Sequence, residues 1–160
     1  FTYSSDAFAF DVGTYYNTGF KGIRFGMSFQ NFGESVKFLE QGAREEGYDL
    51  PLVFRLGASL DLIREEEGFI ALGPEHRVVL SFEALNTNDY GERYHVGAEY
   101  SFMDFIHLRG GYRFNYAEGN LAFGVGVQKQ LSAFHVAVDY SFVSYAFLES
   151  PHRVTLTVAF

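Results

Sequence analysis

Apolar and polar residues alternate with a period of two along almost the whole chain. In 152–160, Val154, Leu156, Val158 and Phe160 fall on one side of an extended backbone, and Arg153, Thr155, Thr157 and Ala159 fall on the other. Successive side chains of a strand point to opposite faces, so the pattern predicts strands with one apolar and one polar face. It recurs in 8–16, 23–30, 54–62, 78–84, 94–102, 106–114, 121–128 and 134–142. In 106–114, for example, Ile106, Leu108, Gly110, Tyr112 and Phe114 oppose His107, Arg109, Gly111 and Arg113. Roughly nine strands result, each about long enough for a tilted membrane crossing.

Turn-forming residues separate these segments: Asn17-Thr18-Gly19, Asn86-Thr87-Asn88-Asp89, Met103-Asp104, Glu118-Gly119-Asn120 and Leu131-Ser132. Most connections are hairpin-short. The two longer ones, 33–51 and 64–75, carry charge runs such as Glu65-Glu66-Glu67 and are expected as solvated loops. Within the first, Val36-Lys37-Phe38-Leu39 is an apolar cluster suited to packing on its own rim, folding over a mouth or touching a partner.

Alternation alone fits a soluble barrel or sandwich as well as a membrane barrel. Composition shifts the balance towards the membrane. The polar positions are rich in Gly, Ala and Ser with scattered charges, whereas a soluble exterior is dense in Lys and Glu. Aromatics are abundant, with 19 Phe and 11 Tyr. Tyr90, Tyr94, Tyr112, Phe114, Tyr116, Tyr145 and Phe147 near one rim, and Tyr15, Tyr16, Phe102, Phe105, Phe134 and Phe160 near the other, cluster at strand ends, as at a lipid–water interface. Phe160 ends the last strand in register with the apolar side. The expected fold class is therefore all-β: an antiparallel transmembrane β-barrel in the bacterial outer membrane, one domain over 1–160, in contact with outer-membrane lipid. Single-chain bacterial barrels have even strand numbers, so nine strands are expected to be the C-terminal part of a larger barrel. The strand ending at Phe160 should then pair with a segment upstream of Phe1 and not with 7–16. The chain starts at Phe1 rather than Met, so a secretory leader is not excluded. With a net charge of −8, nucleic acid is not expected as a partner, and the absence of cysteine excludes disulfides and thiolate metal sites.

The inward face is expected to hold Asp11, Arg24, Arg55, Asp61, Arg77, Glu83, His95, Glu99, His107, Arg109, Arg113, His135, Asp139 and Arg153. If Phe102 pairs with Ile106 across a three-residue turn, Glu99 lies opposite Arg109 and His95 opposite Arg113. If Leu131-Ser132 is a two-residue turn, Gln128 faces His135 and Gly124 faces Asp139. Buried charges must pair, so a lumenal network of ion pairs is the first expectation, ahead of a ligand or proton pathway. No nucleophile–base pair stands out, and no enzyme is expected. His95, His107 and His135 lack metal-type spacing, and no metal or other cofactor is expected. Gly124-Val125-Gly126 sits mid-strand with no helix after it; its glycines leave lumenal room or permit curvature.

The order of several short motifs resembles the PorV/PorQ family of outer-membrane proteins, relatives of the FadL transporters. They are Asp11-Val12-Gly13-Thr14-Tyr15-Tyr16, then Gly26-Met27-Ser28-Phe29-Gln30-Asn31-Phe32-Gly33, Val36-Lys37-Phe38 and Leu50-Pro51-Leu52-Val53-Phe54-Arg55-Leu56-Gly57. Further on come Gly97-Ala98-Glu99-Tyr100, Leu108-Arg109-Gly110-Gly111-Tyr112-Arg113, Asp139-Tyr140-Ser141-Phe142 and His152-Arg153-Val154. The resemblance implies a fourteen-stranded barrel, with about five strands before Phe1. It also implies service in a type IX secretion system, binding the signal domain of exported cargo and shuttling it from a translocon to the surface. The alternative it leaves open is FadL-like transport of hydrophobic small molecules.

Overall fold

A computed structural model describes residues 7–38 and 46–160. Nine long strands form one sheet: β1 (Ala9–Asn17), β2 (Arg24–Gly33), β5 (Val53–Ile63), β6 (His76–Thr87), β7 (Arg93–Phe102), β8 (Ile106–Phe114), β9 (Leu121–Gln130), β10 (His135–Ser144) and β11 (His152–Ala159). A separate ribbon of β3 (Val36–Phe38) and β4 (Glu46–Tyr48) lies between β2 and β5. The described residues contain no helix. The alternating segments of the sequence are the nine long strands, extended by up to three residues at some ends. The ribbon lies inside the segment expected to be loop; Leu39 of the apolar cluster is outside the described residues.

Every ladder in the large sheet is antiparallel and joins strands that follow one another in the chain, apart from the inserted ribbon. Among the described residues no ladder joins β1 to β11, and each is paired along one edge only. Their nine residues and eight residues respectively are all exposed.

Two bulges adjust the pattern. In β2, Asn31 is an extra residue: Phe10 pairs with Phe32 and Val12 with Phe29. Asn31 sits at φ 61, a left-handed conformation that Asn tolerates better than most residues. Its N–H donates to Asp11 Oδ1 at 2.8 Å and its Nδ2 to the Pro51 carbonyl at 2.9 Å. The insertion returns Phe32 to the face of Phe29, so Phe10, Val12, Phe29 and Phe32 form one apolar patch. In β5 the register slips between Asp61 and Ile63.

Hairpin tips fix the register. Met103 and Asp104 both have positive φ, and the Phe105 N–H donates to the Phe102 carbonyl at 2.9 Å. Phe102 therefore pairs with Ile106, Glu99 with Arg109 and His95 with Arg113. The β9–β10 hairpin differs from expectation. Leu131 N–H donates to the Phe134 carbonyl at 2.8 Å, which puts the tip at Ser132-Ala133 rather than Leu131-Ser132. His135 faces Gln130, Gln128 faces Ala137, and Asp139 faces Gly126. The slip is two residues, so every side chain keeps its face.

Burial is inverted relative to a soluble core. Asp61 is 0% exposed, Ser101 2% and His107 6%, whereas Leu108 is 49%, Phe123 52% and Leu156 68% exposed. The sheet also curves around its polar face. Tyr15 on β1 and Ala122 on β9 line the same hollow of about 480 Å³. In a flat sheet six strand spacings of ~4.8 Å would put them about 29 Å apart. The hollow exists because its floor is Gly26, Gly57, Gly97, Gly111, Ser59 and Ser81, which carry little or no side chain.

Candidate functional site

The polar face is organised as three clusters. The first is centred on Asp61, near the C-terminal end of β5. Its carboxylate meets Arg24 of β2 at 2.9 Å, Arg64 at 2.9 Å and Arg77 of β6 at 3.3 Å. Three cations around one fully buried carboxylate compensate the desolvation that a single pair would leave. The turn before β2 packs directly on it. Gly22 has φ 63, and a Cβ there would collide with the Asp61 carboxyl group. The Asp61 N–H donates to the Lys21 carbonyl at 3.2 Å. Arg64 comes from the second long connection, which folds back on β5: Phe69 and Ile70 N–H donate to the Asp61 and Leu62 carbonyls. Glu65, Glu66 and Glu67 remain exposed, and Glu67 pairs with Arg64 at 2.7 Å.

The second cluster is built on Arg109 of β8. Its Nε donates to Glu99 on β7 at 2.6 Å, and its Nη1 donates to Asp139 on β10. β9 lies between Arg109 and Asp139, and the guanidinium crosses it at Gly126, where a Cβ would sit 3.2 Å from Arg109 Nη1. A Cβ on Gly126 would collide with Asp139 Oδ1. The room Gly126 leaves is thus occupied by an ion pair. Beside it Ser101 Oγ and His107 Nδ1 lie 2.9 Å apart, both buried. Glu99 is 3.5 Å from Ser101 Oγ, on the serine side rather than behind the imidazole, and His107 Nε2 has no partner among the described residues. A hydrolase triad needs an exposed serine and a carboxylate orienting the histidine, and this group has neither.

The third cluster lies at the opposite strand ends. Arg55 Nη1 pairs with Glu83 at 3.0 Å, and His95 Nδ1 is 3.4 Å from the same carboxylate. His95 Nε2 meets the Tyr116 hydroxyl at 2.7 Å. His95 and Arg113 face each other across the β7–β8 ladder, and Tyr116 joins them: the Arg113 guanidinium lies 4.7 Å from its ring centre. Arg93 is 4.5 Å from the same centre and 4.4 Å from that of Tyr90.

Eleven of the fourteen charged or imidazole side chains expected on the inward face fall into these clusters. Asp11 instead caps the Asn31 bulge on the exposed edge strand. His135 makes no side-chain hydrogen bond or ion pair among the described residues. Arg77 joins Asp61, while Arg153 stays exposed on β11. Val154, Leu156 and Val158 lie together on the outward side of β11, and Phe160 follows the strand's last residue. Sequence reasoning missed Arg64, Ser101 and Arg93, and placed Tyr90 and Tyr116 only among the rim aromatics. Ser101 had a signal, because it shares the alternation of Glu99 and His95; the others sit at strand ends or in connections, where alternation stops.

Among the described residues no helix is long and apolar enough to cross a membrane, and no three His, Asp or Glu side chains are placed to hold a metal ion. No family model, no curated protein and no solved structure matches the chain.

Proposed function

We propose that the nine-stranded sheet is part of the wall of an outer-membrane β-barrel. The observation that carries this is the inversion of burial: a continuous apolar surface turned outward from a sheet that curves around paired charges. Lipid is the solvent that favours such a surface, since contiguous exposed apolar area of this extent is rare on soluble monomers. The free edges of β1 and β11 fit the same proposal, because a barrel wall must continue past them. Both strands run the same way, so an odd number of additional strands completes an antiparallel barrel; five would make the fourteen that the PorV/PorQ resemblance implies. Cell fractionation tests the location: recovery of the full-length protein in the outer membrane, with heat-modifiable gel mobility, is the expected result. Recovery as a detergent-free soluble monomer would refute it.

Within that frame, the role favoured by the resemblance is that of a PorV/PorQ-type carrier of secreted cargo in a type IX-like system. The partners would be a secretion translocon or a cargo signal domain. Isolation of the native assembly in mild detergent tests the role. Co-isolation of secretion components or cargo supports it, and recovery of the barrel with lipid alone argues against it. The hollow of about 480 Å³, floored by glycine and serine, favours a second possibility, FadL-like passage of hydrophobic small molecules. A lumen sealed by the remaining wall would end that one.

A further inference from the structure

The third cluster contains more positive charge than its carboxylates compensate. Glu83 serves Arg55 and His95. Arg93 and Arg113 form no ion pair with any described carboxylate, including Glu92 and Glu118 in the adjoining connections. Arg113 directs Nε and Nη2 to the Gly119 carbonyl and has Nη1 left over. The Arg93 guanidinium donates no hydrogen bond to a described protein acceptor; it is held by ring faces alone, between Tyr90 and Tyr116. Both guanidinium carbons lie within 4.7 Å of the centre of the Tyr116 ring, so the two cations are at most about 9 Å apart, roughly a Debye length at physiological salt. A guanidinium stacked on an aromatic face keeps its N–H groups in the stacking plane, directed sideways, ready to bind a planar or tetrahedral oxyanion. Arg113 and His95 also line the 480 Å³ hollow, so the Arg113 end of the pair opens onto space that a ligand can enter, while Arg93 lies outside the lining.

From this geometry we infer that Arg93 and Arg113, spaced by Tyr116, form an oxyanion site whose ligand is a phosphate monoester. The charge decides between oxyanions. A carboxylate brings one negative charge, whereas a phosphate monoester brings about −1.5 to −2 at neutral pH and three acceptor oxygens, which matches two uncompensated guanidinium groups. The ligand is either a free phosphate compound or the headgroup of an amphiphile whose tail enters the hollow. The inference goes beyond the barrel proposal and stands whether or not lipid covers the apolar face.

Arginine modification tests it residue by residue. The full-length protein in nonionic detergent is treated with phenylglyoxal, with and without inorganic phosphate or dodecyl phosphate, and each arginine-containing peptide is quantified. Phosphate is expected to slow modification of Arg93 and Arg113 roughly fivefold while Arg153, exposed on β11, is unaffected. In Arg93→Gln, protection of Arg113 is expected to disappear. Equal protection by the two probes identifies free phosphate as the ligand type, and protection by dodecyl phosphate at much lower concentration identifies a headgroup. If neither probe protects, if Arg153 is slowed as much as Arg93, or if Arg93→Gln leaves Arg113 protected, the tyrosines merely staple the connection and the site does not exist.

Discussion

Asp61 is the residue on which most of the polar face at one end of the sheet depends. Removing a buried carboxylate that holds Arg24, Arg64 and Arg77 leaves three guanidinium groups facing one another. Asp61→Ala is therefore expected to cost about 3–5 kcal/mol, read from urea unfolding of the protein in phospholipid vesicles. An unchanged midpoint would mean that the three arginines are solvated by other means. Gly126 makes a finer test. Gly126→Ala places a methyl group where Asp139 Oδ1 sits, so Arg109 keeps Glu99 and loses Asp139. The expected loss is about 1–2 kcal/mol, and it should largely vanish when Asp139 is already Ala, because the two changes act through one contact. Additive losses in that double-mutant cycle would show that the glycine serves the backbone instead. The facing positions of Glu99 and Arg109 were legible in the sequence, since both follow from one hairpin. The reach of Arg109 to Asp139 was not: it skips a strand and depends on what β9 lacks.

Among the elements, β2 and the β9–β10 hairpin show where alternation is a sufficient guide and where it fails. Period-two patterning located all nine long strands because one face of each is apolar over most of its length. It gave no warning of the Asn31 bulge, where two residues on β2 oppose one on β1 and the parity of the sequence changes. Nor did it resolve the tip at Ser132-Ala133, because Leu131-Ser132-Ala133-Phe134 contains no glycine or asparagine to mark one tip over another. The ribbon of β3 and β4 was illegible for a further reason: three-residue strands within a charged segment carry too few positions for a period to register. The bulge makes its own prediction. Asn31→Gly keeps the left-handed conformation and loses the hydrogen bond to Pro51, whereas Asn31→Val places a β-branched residue at φ 61. Valine should be the more damaging by about 1–2 kcal/mol in the same unfolding assay. Equal losses would assign the role of Asn31 to its amide rather than to its backbone.

For the molecule as a whole, the two faces should respond in opposite ways to the same substitution. Val125 lies at the middle of β9 on the outward face. If lipid covers that face, Val125→Arg should cost about 2–4 kcal/mol when the protein is folded into bilayers. Thr155→Arg, on the inward side of β11 next to Asp139, should cost far less. Near-equal costs would mean that both faces see water. The all-β class, the antiparallel strand order and the facing of the side chains were available from the sequence, because they depend on local periodicity. The clusters at Asp61 and Tyr116 needed three dimensions, because Arg64 and Tyr116 arrive from connections whose sequence carries no period.

The nearest-neighbour order of the ladders has a kinetic consequence. Each hairpin from β5 to β11 closes a loop of at most a dozen residues, so each can form soon after its second strand is present, at small entropic cost. A sheet of this kind can grow one strand at a time from any starting hairpin. The outer edges of β1 and β11 differ from the rest: on the barrel proposal both accept strands beyond these nine, and the partner of β11 comes from the far end of the barrel, where no hairpin brings it close. On that proposal the slow step in building the barrel would be the sealing of the β11 edge against the first strand, and an arrested intermediate would be an open, curved sheet with that edge exposed.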